Sequence, residues 1–262
     1  MSTSALQVAR TGLDAQAERM RIIANNLANV NTTAFQRDRA EFATLAYQMV
    51  TAAGARSAGD NQYATGLNLG TGVRLTGTGR ITSQGSINTT GNNLDLAIEG
   101  EGYFQIQRPD GSTGYSRAGN FHLSSEGKVV TSDGMPVMPE ITIPDGAQSI
   151  TIGQDGTVSV TVSGQTEPQE VGKLELARFV NPAGLQALGN NLYAETGASG
   201  TAQTGPANAE GRGAIRQGAL EASNVNVVQE LVDMIETQRA YEVNSKMIQA
   251  TDEMLRNANQ QL

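Results

Sequence analysis

Residues 224–262 read NVNVVQELVDMIETQRAYEVNSKMIQATDEMLRNANQQL, a stretch without glycine or proline. Its apolar residues recur seven apart, at Val227, Met234, Tyr241, Ile248, Leu255 and Leu262. A strict seven-residue repeat keeps one narrow apolar seam on one side of a helix, and Leu231 and Ile235 lie beside it. At 1.5 Å per residue, the stretch predicts a helix about 55 Å long that needs partner helices along its seam.

The start of this helix is indicated by Asn226, because a short polar side chain can accept hydrogen bonds from the first helical N–H groups. Gln229 stands three residues later, as in a capping box, and Glu230 lies near the positive end of the helix dipole. Periodicity alone leaves two alternatives about equally open. One is an ordinary coiled coil, within the chain or in a dimer, and the other is a larger helical assembly.

A second helix with the same kind of seam is predicted at the N-terminus. Its apolar residues are again seven apart, at Leu6, Leu13, Met20 and Leu27. Ser4 and Gln7 form a capping-box pattern before it, and Gly12 weakens it by about 1 kcal/mol relative to alanine. Because both ends of the chain carry such a seam, we expect the two terminal helices to pair.

A short repeat marks the inner ends of the two predicted helices. Asn29-Val30-Asn31 stands where the first helix ends, and Asn224-Val225-Asn226 stands where the last begins. The repeat is consistent with a matched junction between paired helices and a separate body. Chance recurrence of three common residues is the alternative.

The middle of the chain changes period. Helical spacing continues over residues 34–50, and residues 51–72 lose it and predict a linker or extended arm. From residue 73 to about 222 apolar residues alternate with polar ones, which indicates many short strands. Asp-Gly and Glu-Gly pairs between these runs predict tight turns, and residues 196–213 predict an exposed, mobile loop.

These patterns predict an α+β fold in which a discontinuous, coiled-coil-like domain of long N- and C-terminal helices carries an inserted, mainly-β domain. The helices occupy residues 1–34 and 223–262. A connecting helix and extended linker occupy residues 35–72, and the β-rich domain occupies residues 73–222.

Composition narrows the class of protein. The 262 residues are 38% hydrophobic and 4% aromatic, with 30 glycines and no tryptophan, so a thin core in an extended molecule is expected. The net charge of −8 argues against nucleic acid as a partner. No cysteine, no cleavable signal peptide and no apolar run of about 20 residues is present in the sequence.

Motifs for chemistry are weak. The single histidine, His122, has no cysteine or second histidine with which to form a metal cluster or triad. The glycine doublets do not continue into a phosphate-binding motif, and a carboxylate pair such as Glu99 and Glu101 is ordinary in an acidic β protein. The sequence therefore predicts no enzyme, cofactor or metal site. A secreted binding module with a coiled-coil stalk and an enzyme acting on cell-wall glycan are the competing hypotheses.

Three segments resemble the bacterial flagellar rod and hook proteins. ERMRIIANNLANVNTTAFQRDRAEF at residues 18–42 is similar to the family's N-terminal signature, and ALEASNVNVVQELVDMIETQRAYEVNSKMI at residues 219–248 is similar to its C-terminal signature. LDLAIEGEGYFQIQRPDGSTGYSRAGNFHLSSEGKVVTSDGMPV at residues 94–137 resembles its central β domain. Together they lie in the family's order over nearly the whole chain.

The resemblance implies a non-enzymatic axial subunit that stacks helically into a hollow rod across the periplasm, with its helices lining the inner tube. Such a rod transmits motor torque to the hook and serves as an export channel. Implied partners are further copies, proximal rod proteins, hook protein, the rings of the outer membrane and peptidoglycan, the rod cap and the export apparatus. Neither nucleic acid nor membrane insertion is implied. Length favours the distal segment of the rod, and a proximal rod subunit of similar size is the alternative.

Overall fold

The computed structural model describes residues 2–58, 61–162 and 167–260. Two long helices stand at its ends, α1 at Ser2–Ala28 and α2 at Val227–Gln260, with only short strands and one short 3-10 turn between them. This confirms the coarse prediction of an α+β chain with terminal helices around a β-rich middle. α1 begins at Ser2, earlier than the start predicted at Ser4.

The strands follow one another in short segments. Those before residue 100 are β1 (Asp38–Thr44), β2 (Tyr47–Thr51), β3 (Arg56–Ala58), β4 (Asn61–Gln62), β5 (Leu67–Gly70), β6 (Val73–Arg80), β7 (Ile87–Thr89) and β8 (Leu96–Glu99). The next are β9 (Tyr103–Gln107), β10 (Thr113–Ser116), β11 (His122–Leu123), β12 (Val129–Val130), β13 (Val137–Met138), β14 (Ala147–Ile152) and β15 (Thr157–Val162). The last are β16 (Gln169–Lys173), β17 (Glu175–Arg178), β18 (Gln186–Gly189), β19 (Leu192–Ala194), β20 (Gln203–Pro206), β21 (Ala214–Gln217) and β22 (Ala219–Glu221).

The chain forms two compact units and passes between them repeatedly. The helical unit contains Met1–Ala28, Asp38–Gly79 and Asn226–Leu262. The β unit contains Asn29–Arg37 and Arg80–Val225.

Strands replace the helix predicted for residues 34–50, and that prediction is wrong. Ala34 has a φ of 55°, outside the right-handed helical region, so the chain cannot continue as a helix there. β1 then pairs with β6, and β2 pairs with β5. These ladders satisfy the backbone hydrogen bonds and override the helical spacing of Phe35, Phe42 and Met49.

Residues 51–72 form an extended arm whose strands are paired, one of the two alternatives for this segment. The antiparallel β2–β5 ladder places Tyr47 opposite Gly70 and Gln48 opposite Leu69. β3 and β4 pair at the end of the arm. The arm is therefore held by a backbone ladder, which a flexible linker would lack.

The β unit is built on a seven-stranded sheet ordered β18-β19-β10-β9-β17-β20, with β13 also pairing with β9. A separate sheet is ordered β14-β15-β16. Buried apolar residues form two clusters, the smaller of which includes Tyr103 and Tyr115. The predicted alternation is confirmed for the residues of the larger cluster, here called the core, and Leu94, Ile150 and Val162 pack against it. The core contains Leu96, Ile98, Phe104, Phe121, Val129, Val137, Ile141, Ile143, Ile152, Val158, Val160, Leu174, Leu176, Ala207 and Ile215.

The tight turns predicted from acidic-residue–glycine pairs are confirmed. Gly111 connects β9 to β10 with a φ of 80°, and Gly156 connects β14 to β15 with a φ of 88°. Glycine adopts this left-handed conformation without the steric penalty of a side chain. Each backbone N–H closes a turn, from Gly111 to the Arg108 carbonyl and from Gly156 to the Gly153 carbonyl.

Most residues of the loop predicted for residues 196–213 are exposed, as predicted, but the segment contains a strand and several buried residues. Ser199, Ala207 and Arg212 in this segment are buried. β20 lies within it and pairs with β17, and the Arg212 side chain donates a hydrogen bond of 2.9 Å to the Pro206 carbonyl. Small polar and glycine residues therefore pack here because the backbone itself joins the sheet.

Candidate self-assembly surface

The start of α2 is capped by Asn226, as predicted. Its Oδ1 accepts hydrogen bonds from the backbone N–H groups of Val228, at 3.0 Å, and Gln229, at 3.2 Å. These are two of the donors that a helix leaves without a partner in its first turn. The Gln229 side chain donates to Asp233 instead, at 3.3 Å. The cap thus comes from the asparagine.

α1 and α2 pack against each other in antiparallel orientation within the helical unit. Asn26 contacts Glu230, and Arg19 reaches Asp233 across 3.8 Å. A Cβ added at Gly12 would lie 3.1 Å from Nδ2 of the Asn244 side chain, so this side chain packs directly against the backbone of α1. The paired residue numbers run in opposite directions along the two helices, which confirms that the terminal helices pair.

Asn26 connects three elements of the helical unit. Its Nδ2 donates to Oε2 of Glu230 at 3.2 Å and to the Asp38 carbonyl at 2.9 Å. Its Oδ1 accepts the Asp38 N–H at 3.0 Å. Asn26 and Glu230 are both buried. Because the amide satisfies the backbone of β1 while holding a carboxylate of α2, it fixes the register of the two helices.

The face of α2 that meets α1 includes a row of polar residues. Glu230 and Thr237 are buried, and Asn244 is half-buried. These three residues are seven apart, so they form a polar row parallel to the apolar seam. Sequence reasoning missed this row because attention to hydrophobic periodicity passes over polar residues of the same period. The repeat Glu230, Thr237, Asn244 could have revealed it.

The predicted seam of α2 lies beside this polar row, and much of it is exposed. Val227, Leu231, Ile235 and Tyr241 are exposed, and Met234 and Ile248 are half-buried. The side chain of Leu255, although its backbone belongs to α2, and the whole of Leu262 lie outside the described residues. On α1 the predicted seam residues Leu6, Leu13, Met20 and Leu27 are all half-buried.

The first turns of α2 carry a concentrated apolar patch. We call this the α2 apolar patch, and it consists of Val227, Val228, Leu231, Val232 and Ile235, all of them exposed. Val228 leaves 71% of its surface in solvent. The contact between α1 and α2 uses polar residues, whereas this patch consists of branched apolar side chains that remain in solvent. A contiguous exposed apolar patch of this kind indicates an interaction surface.

The junction residues occupy the predicted positions. α1 ends at Ala28, directly before Asn29, and α2 begins directly after Asn226. Asn29 accepts a hydrogen bond of 3.1 Å from the Thr32 hydroxyl, and Asn31 is exposed. Each therefore lies in the turn that follows the first helix.

Asn224 cross-links two segments of the β unit. Its Nδ2 donates to the carbonyls of Ile81, at 2.8 Å, and Ser83, at 2.9 Å. Its Oδ1 accepts the Arg37 N–H at 2.8 Å, and its own N–H donates to the Phe35 carbonyl at 3.1 Å. The segment leaving α1 and the segment leaving β6 are joined here.

The described residues do not bring together a cluster of side chains that could bind a metal ion. In residues 2–58, 61–162 and 167–260, no three histidine or carboxylate side chains come together as a metal site would require. His122 is exposed on β11, where it pairs with Val130 of β12. The Glu101 carboxylate accepts a hydrogen bond from Arg178 at 2.7 Å. Within the same described ranges, neither helix is apolar enough over a sufficient length to cross a membrane.

Three family sequence patterns match the chain in order. The family described as "Flagella basal body rod protein" matches residues 6–36, and the "Flagellar hook protein FlgE/F/G D1 domain" matches residues 97–160. The "Flagellar basal body rod FlgEFG protein C-terminal" matches residues 216–261. The outer two matches fall largely on the paired helices, and the middle one falls on the β unit.

Full-length relatives agree with these matches. The flagellar basal-body rod protein FlgG of Buchnera aphidicola subsp. Schizaphis graminum is 50% identical over 255 residues, covering 97% of this chain and 98% of the relative. FlgG of Caulobacter vibrioides is 47% identical over 257 residues, covering 98% of each chain. The rod protein FlgF of Caulobacter vibrioides is 36% identical over 245 residues, covering 92% of this chain and 90% of the relative. With its paired terminal helices and three ordered matches, the chain belongs to the flagellar basal-body rod family.

Proposed function

We propose that the chain is a structural subunit of the distal rod of the bacterial flagellum and that it polymerises helically through its terminal helices. The observation that carries this proposal is the arrangement of α2. Its polar row of Glu230, Thr237 and Asn244 meets α1, and the α2 apolar patch remains in solvent. The chain itself therefore leaves the α2 apolar patch exposed, and a neighbouring subunit could cover it.

An open polymer, unlike a closed dimer, requires contacts between two different surfaces of the subunit. When the rotation between neighbouring copies does not close into a ring, such contacts repeat and generate a helical filament. Burying the α2 apolar patch against neighbouring copies stabilises the helices, because long helices draw most of their stability from tertiary packing. The seam residues of both helices, including the half-buried Leu13 and Ile248, are the proposed contact points.

The distal position follows from the relatives. FlgG of Bacillus subtilis is 42% identical over 242 residues, and the FlgG relatives compared above are 47% and 50% identical. The FlgF relative is 36% identical. A proximal rod subunit therefore remains the less favoured candidate. A secreted module with an ordinary coiled-coil stalk would instead hold its terminal helices folded in a stable dimer, which the oligomeric state of the dilute protein would reveal.

The assembled rod would be a hollow shaft with the terminal helices inside and the β unit outside. It would have no enzymatic activity. It would transmit torque and let exported subunits pass through its channel. Copies of the chain would follow proximal rod proteins and precede hook protein. They would turn within the ring proteins of the peptidoglycan layer and outer membrane, grow beneath a rod cap, and reach the periplasm through the flagellar export apparatus. Membership of the rod family places the chain in the basal body with other rod and hook components.

Charged substitutions in the seam test the packing. We expect Leu231→Asp and Ile248→Asp each to abolish rod growth, since burying an unpaired carboxylate among apolar side chains is strongly unfavourable. Gln249→Asp is the matched control, because it introduces the same charge at an exposed position of α2 outside the α2 apolar patch. Electron microscopy would score rods, and circular dichroism would establish that the β unit stays folded. Normal rods from Leu231→Asp would refute the seam as the contact.

A further inference from the structure

Four aspartates of the β unit are directly followed by glycine. They are Asp110, Asp133, Asp145 and Asp155, and all four are exposed. Aspartyl-glycyl bonds are open to a spontaneous rearrangement, because glycine has no side chain to hinder attack by its own amide nitrogen. The surroundings of each pair therefore decide where in the β unit this reaction takes place.

The rearrangement needs neither an enzyme nor an oxidant. The glycine nitrogen attacks Cγ of the aspartate and forms an N–Cγ bond, and the hydroxyl of the carboxyl group leaves with the amide proton as water. Water then opens the resulting succinimide ring. Opening at Cγ restores aspartate, whereas opening at the main-chain carbonyl leaves isoaspartate, with one additional methylene carbon in the main chain. A glycine N–H that donates to a carbonyl is withheld from this attack.

Three of the four pairs withhold the glycine nitrogen. The N–H groups of Gly111 and Gly156 close their turns, as described above, and that of Gly134 donates to the Thr131 carbonyl at 2.9 Å. In each of these turns the glycine is the fourth residue, whose N–H makes the closing hydrogen bond. The attacking atom is therefore occupied in all three pairs.

Two of these three pairs also hold the aspartate. Oδ1 of Asp110 accepts hydrogen bonds from the hydroxyl of Ser112, at 2.6 Å, and from its N–H, at 3.0 Å, which lower the pKa of Asp110. Hydrogen bonds from Thr157 and then Lys173 lower the pKa of Asp155 to about 2. Because the protonated carboxyl group is the one that releases water, both aspartates have a second protection.

The Asp145–Gly146 pair is built differently. These two residues are the central pair of their turn, and Gly146 has a φ of 86°, as at the third position of a type II turn. The closing N–H of such a turn belongs to the next residue, so that of Gly146 is left out. Within residues 2–58, 61–162 and 167–260, neither this N–H nor the Asp145 carboxylate has a hydrogen-bond partner. Gly146 is also exposed, and a Cβ added there would meet nothing within 4 Å.

We propose that Asp145–Gly146 is a covalent modification site, at which isoaspartate forms spontaneously and faster than at the other three pairs. The inference goes beyond the proposed polymeric function and does not depend on it, because every group involved belongs to the β unit of a single copy.

The added methylene carbon enters the chain between two anchored points. Ile143 is buried, and its N–H donates to the Gly127 carbonyl at 2.8 Å. β14 begins at Ala147, which is paired with Val162 of β15. A longer main chain between these anchors displaces the start of β14. Isoaspartate at position 145 should therefore increase hydrogen exchange at the start of the β14–β15 ladder.

Ageing of the protein tests the site. Dilute full-length protein would be kept at neutral pH, its isoaspartate labelled with an isoaspartyl methyltransferase and located by peptide mass spectrometry. We expect isoaspartate to form at least about fivefold faster at Asp145 than at Asp133, whose glycine N–H is hydrogen-bonded. In denaturant, where the turns are lost, the four pairs should react at similar rates. Equal rates at Asp145 and Asp133 in the folded protein, or no isoaspartate at Asp145, would overturn the proposal.

Two substitutions at this exposed position identify the source of the label. Asp145→Glu should reduce the labelling of the folded protein to background, because the longer side chain closes a ring with the glycine nitrogen much more slowly. Asp145→Asn should increase it, because ammonia leaves more readily than water from the same ring closure. Full labelling in Asp145→Glu would place the reaction elsewhere and refute the site.

Thr157→Val separates the N–H from the carboxylate as the cause. It removes the hydroxyl that holds Asp155, whereas the Gly156 N–H keeps its 3.0 Å hydrogen bond to the Gly153 carbonyl. Isoaspartate at Asp155 should therefore stay low. A rate at Asp155 that rises to that of Asp145 would show that the open N–H does not select the site.

Discussion

Arg117 and Glu221 form a buried ion pair that joins the end of β22 to the residue directly after β10. The Nε of Arg117 donates to Oε2 of Glu221 at 2.8 Å, with 5% and 2% of the two side chains exposed. The other guanidinium nitrogens donate to the carbonyls of Gly100, Gly102 and Ile98, and the other carboxylate oxygen accepts the Gly85 N–H. Every polar atom named here has a partner, so removing either charge leaves several groups unsatisfied.

We therefore predict that Glu221→Ala lowers the free energy of unfolding of the β unit by about 3–5 kcal/mol, because it strands a buried guanidinium. Chemical denaturation of the full chain would measure the loss. Glu101→Ala is the matched control, since it breaks the partly exposed pair with Arg178 and should cost less than about 1 kcal/mol. Equal losses in the two variants would contradict the importance of burial.

The cap of α2 contributes less to the free energy of unfolding than the buried ion pair of Arg117 and Glu221 does. Asn226→Ala should destabilise the helix by about 1 kcal/mol, because the N–H groups of Val228 and Gln229 lose their acceptor. Asn226→Gly should cost only a few tenths of a kcal/mol. Hydrogen exchange at those two amides would detect the change. The control is Asn257→Ala, at an exposed position near the other end of α2; protection that falls equally in both would argue against a specific cap.

Acid should weaken the β14–β15 turn within a defined pH window. Hydrogen bonds from the Thr157 side chain and backbone, and then from Lys173, lower the pKa of Asp155 from 3.8 to about 2. Because the folded-state pKa is depressed, the contribution of Asp155 to stability is present above pH 3.8 and is lost as the pH falls to about 2. NMR titration of the carboxylate would measure this.

Thr157→Val is the informative variant for this turn. It removes the 2.7 Å hydroxyl hydrogen bond to Asp155 while leaving the backbone donor in place. The pKa of Asp155 should then rise toward its ordinary value. In Asp155→Asn the corresponding part of the pH dependence of unfolding should vanish. An Asp155 pKa that does not move in Thr157→Val would show that the hydroxyl is not the main cause.

The extended arm offers a test of rod mechanics. Deleting residues 52–64 removes β3 and β4 but spares the β2–β5 ladder, which begins at Thr51 and Leu67. We expect a foldable subunit whose rods differ in stiffness or curvature, measured from filament images. Replacing the same residues with a Gly/Ser segment of equal length is the control for chain length. Straight rods of unchanged stiffness from the deletion would show that the arm is dispensable.

Much of the architecture could be predicted from local sequence because local chemistry determines it. Alternation located Leu96, Phe104 and Val158, which face the core from β8, β9 and β15, and Asn226 located the start of α2. It missed Tyr103 and Gln105 of β9, which are buried as well. Residues 34–50 were assigned to the wrong class because three apolar residues seven apart also occur in strands. What decided the outcome was pairing with β5 and β6, whose residues lie far along the chain.

The candidate surface was only partly predictable for a related reason. The seam residues could be identified from their period, but which side of α2 meets α1 depends on the contact between Asn26 and Glu230, 204 residues apart. Likewise, no local pattern pairs Arg117 with Glu221 across 104 residues. Two polar residues of ordinary types give no signal of burial until the fold brings them together.

Because Asn26 and Glu230 are far apart in the sequence, formation of the helix pair also requires both of its ends to be present in the same chain. Its two halves come from opposite ends of the sequence, so a nascent or truncated chain that stops before Glu230 leaves the amide of Asn26 without that partner. The entropic cost of closing a loop rises only slowly with its length, so bringing together residues 204 apart costs little more than closing a shorter loop. A copy that lacks either end therefore cannot form the buried contact that fixes the register of its helix pair.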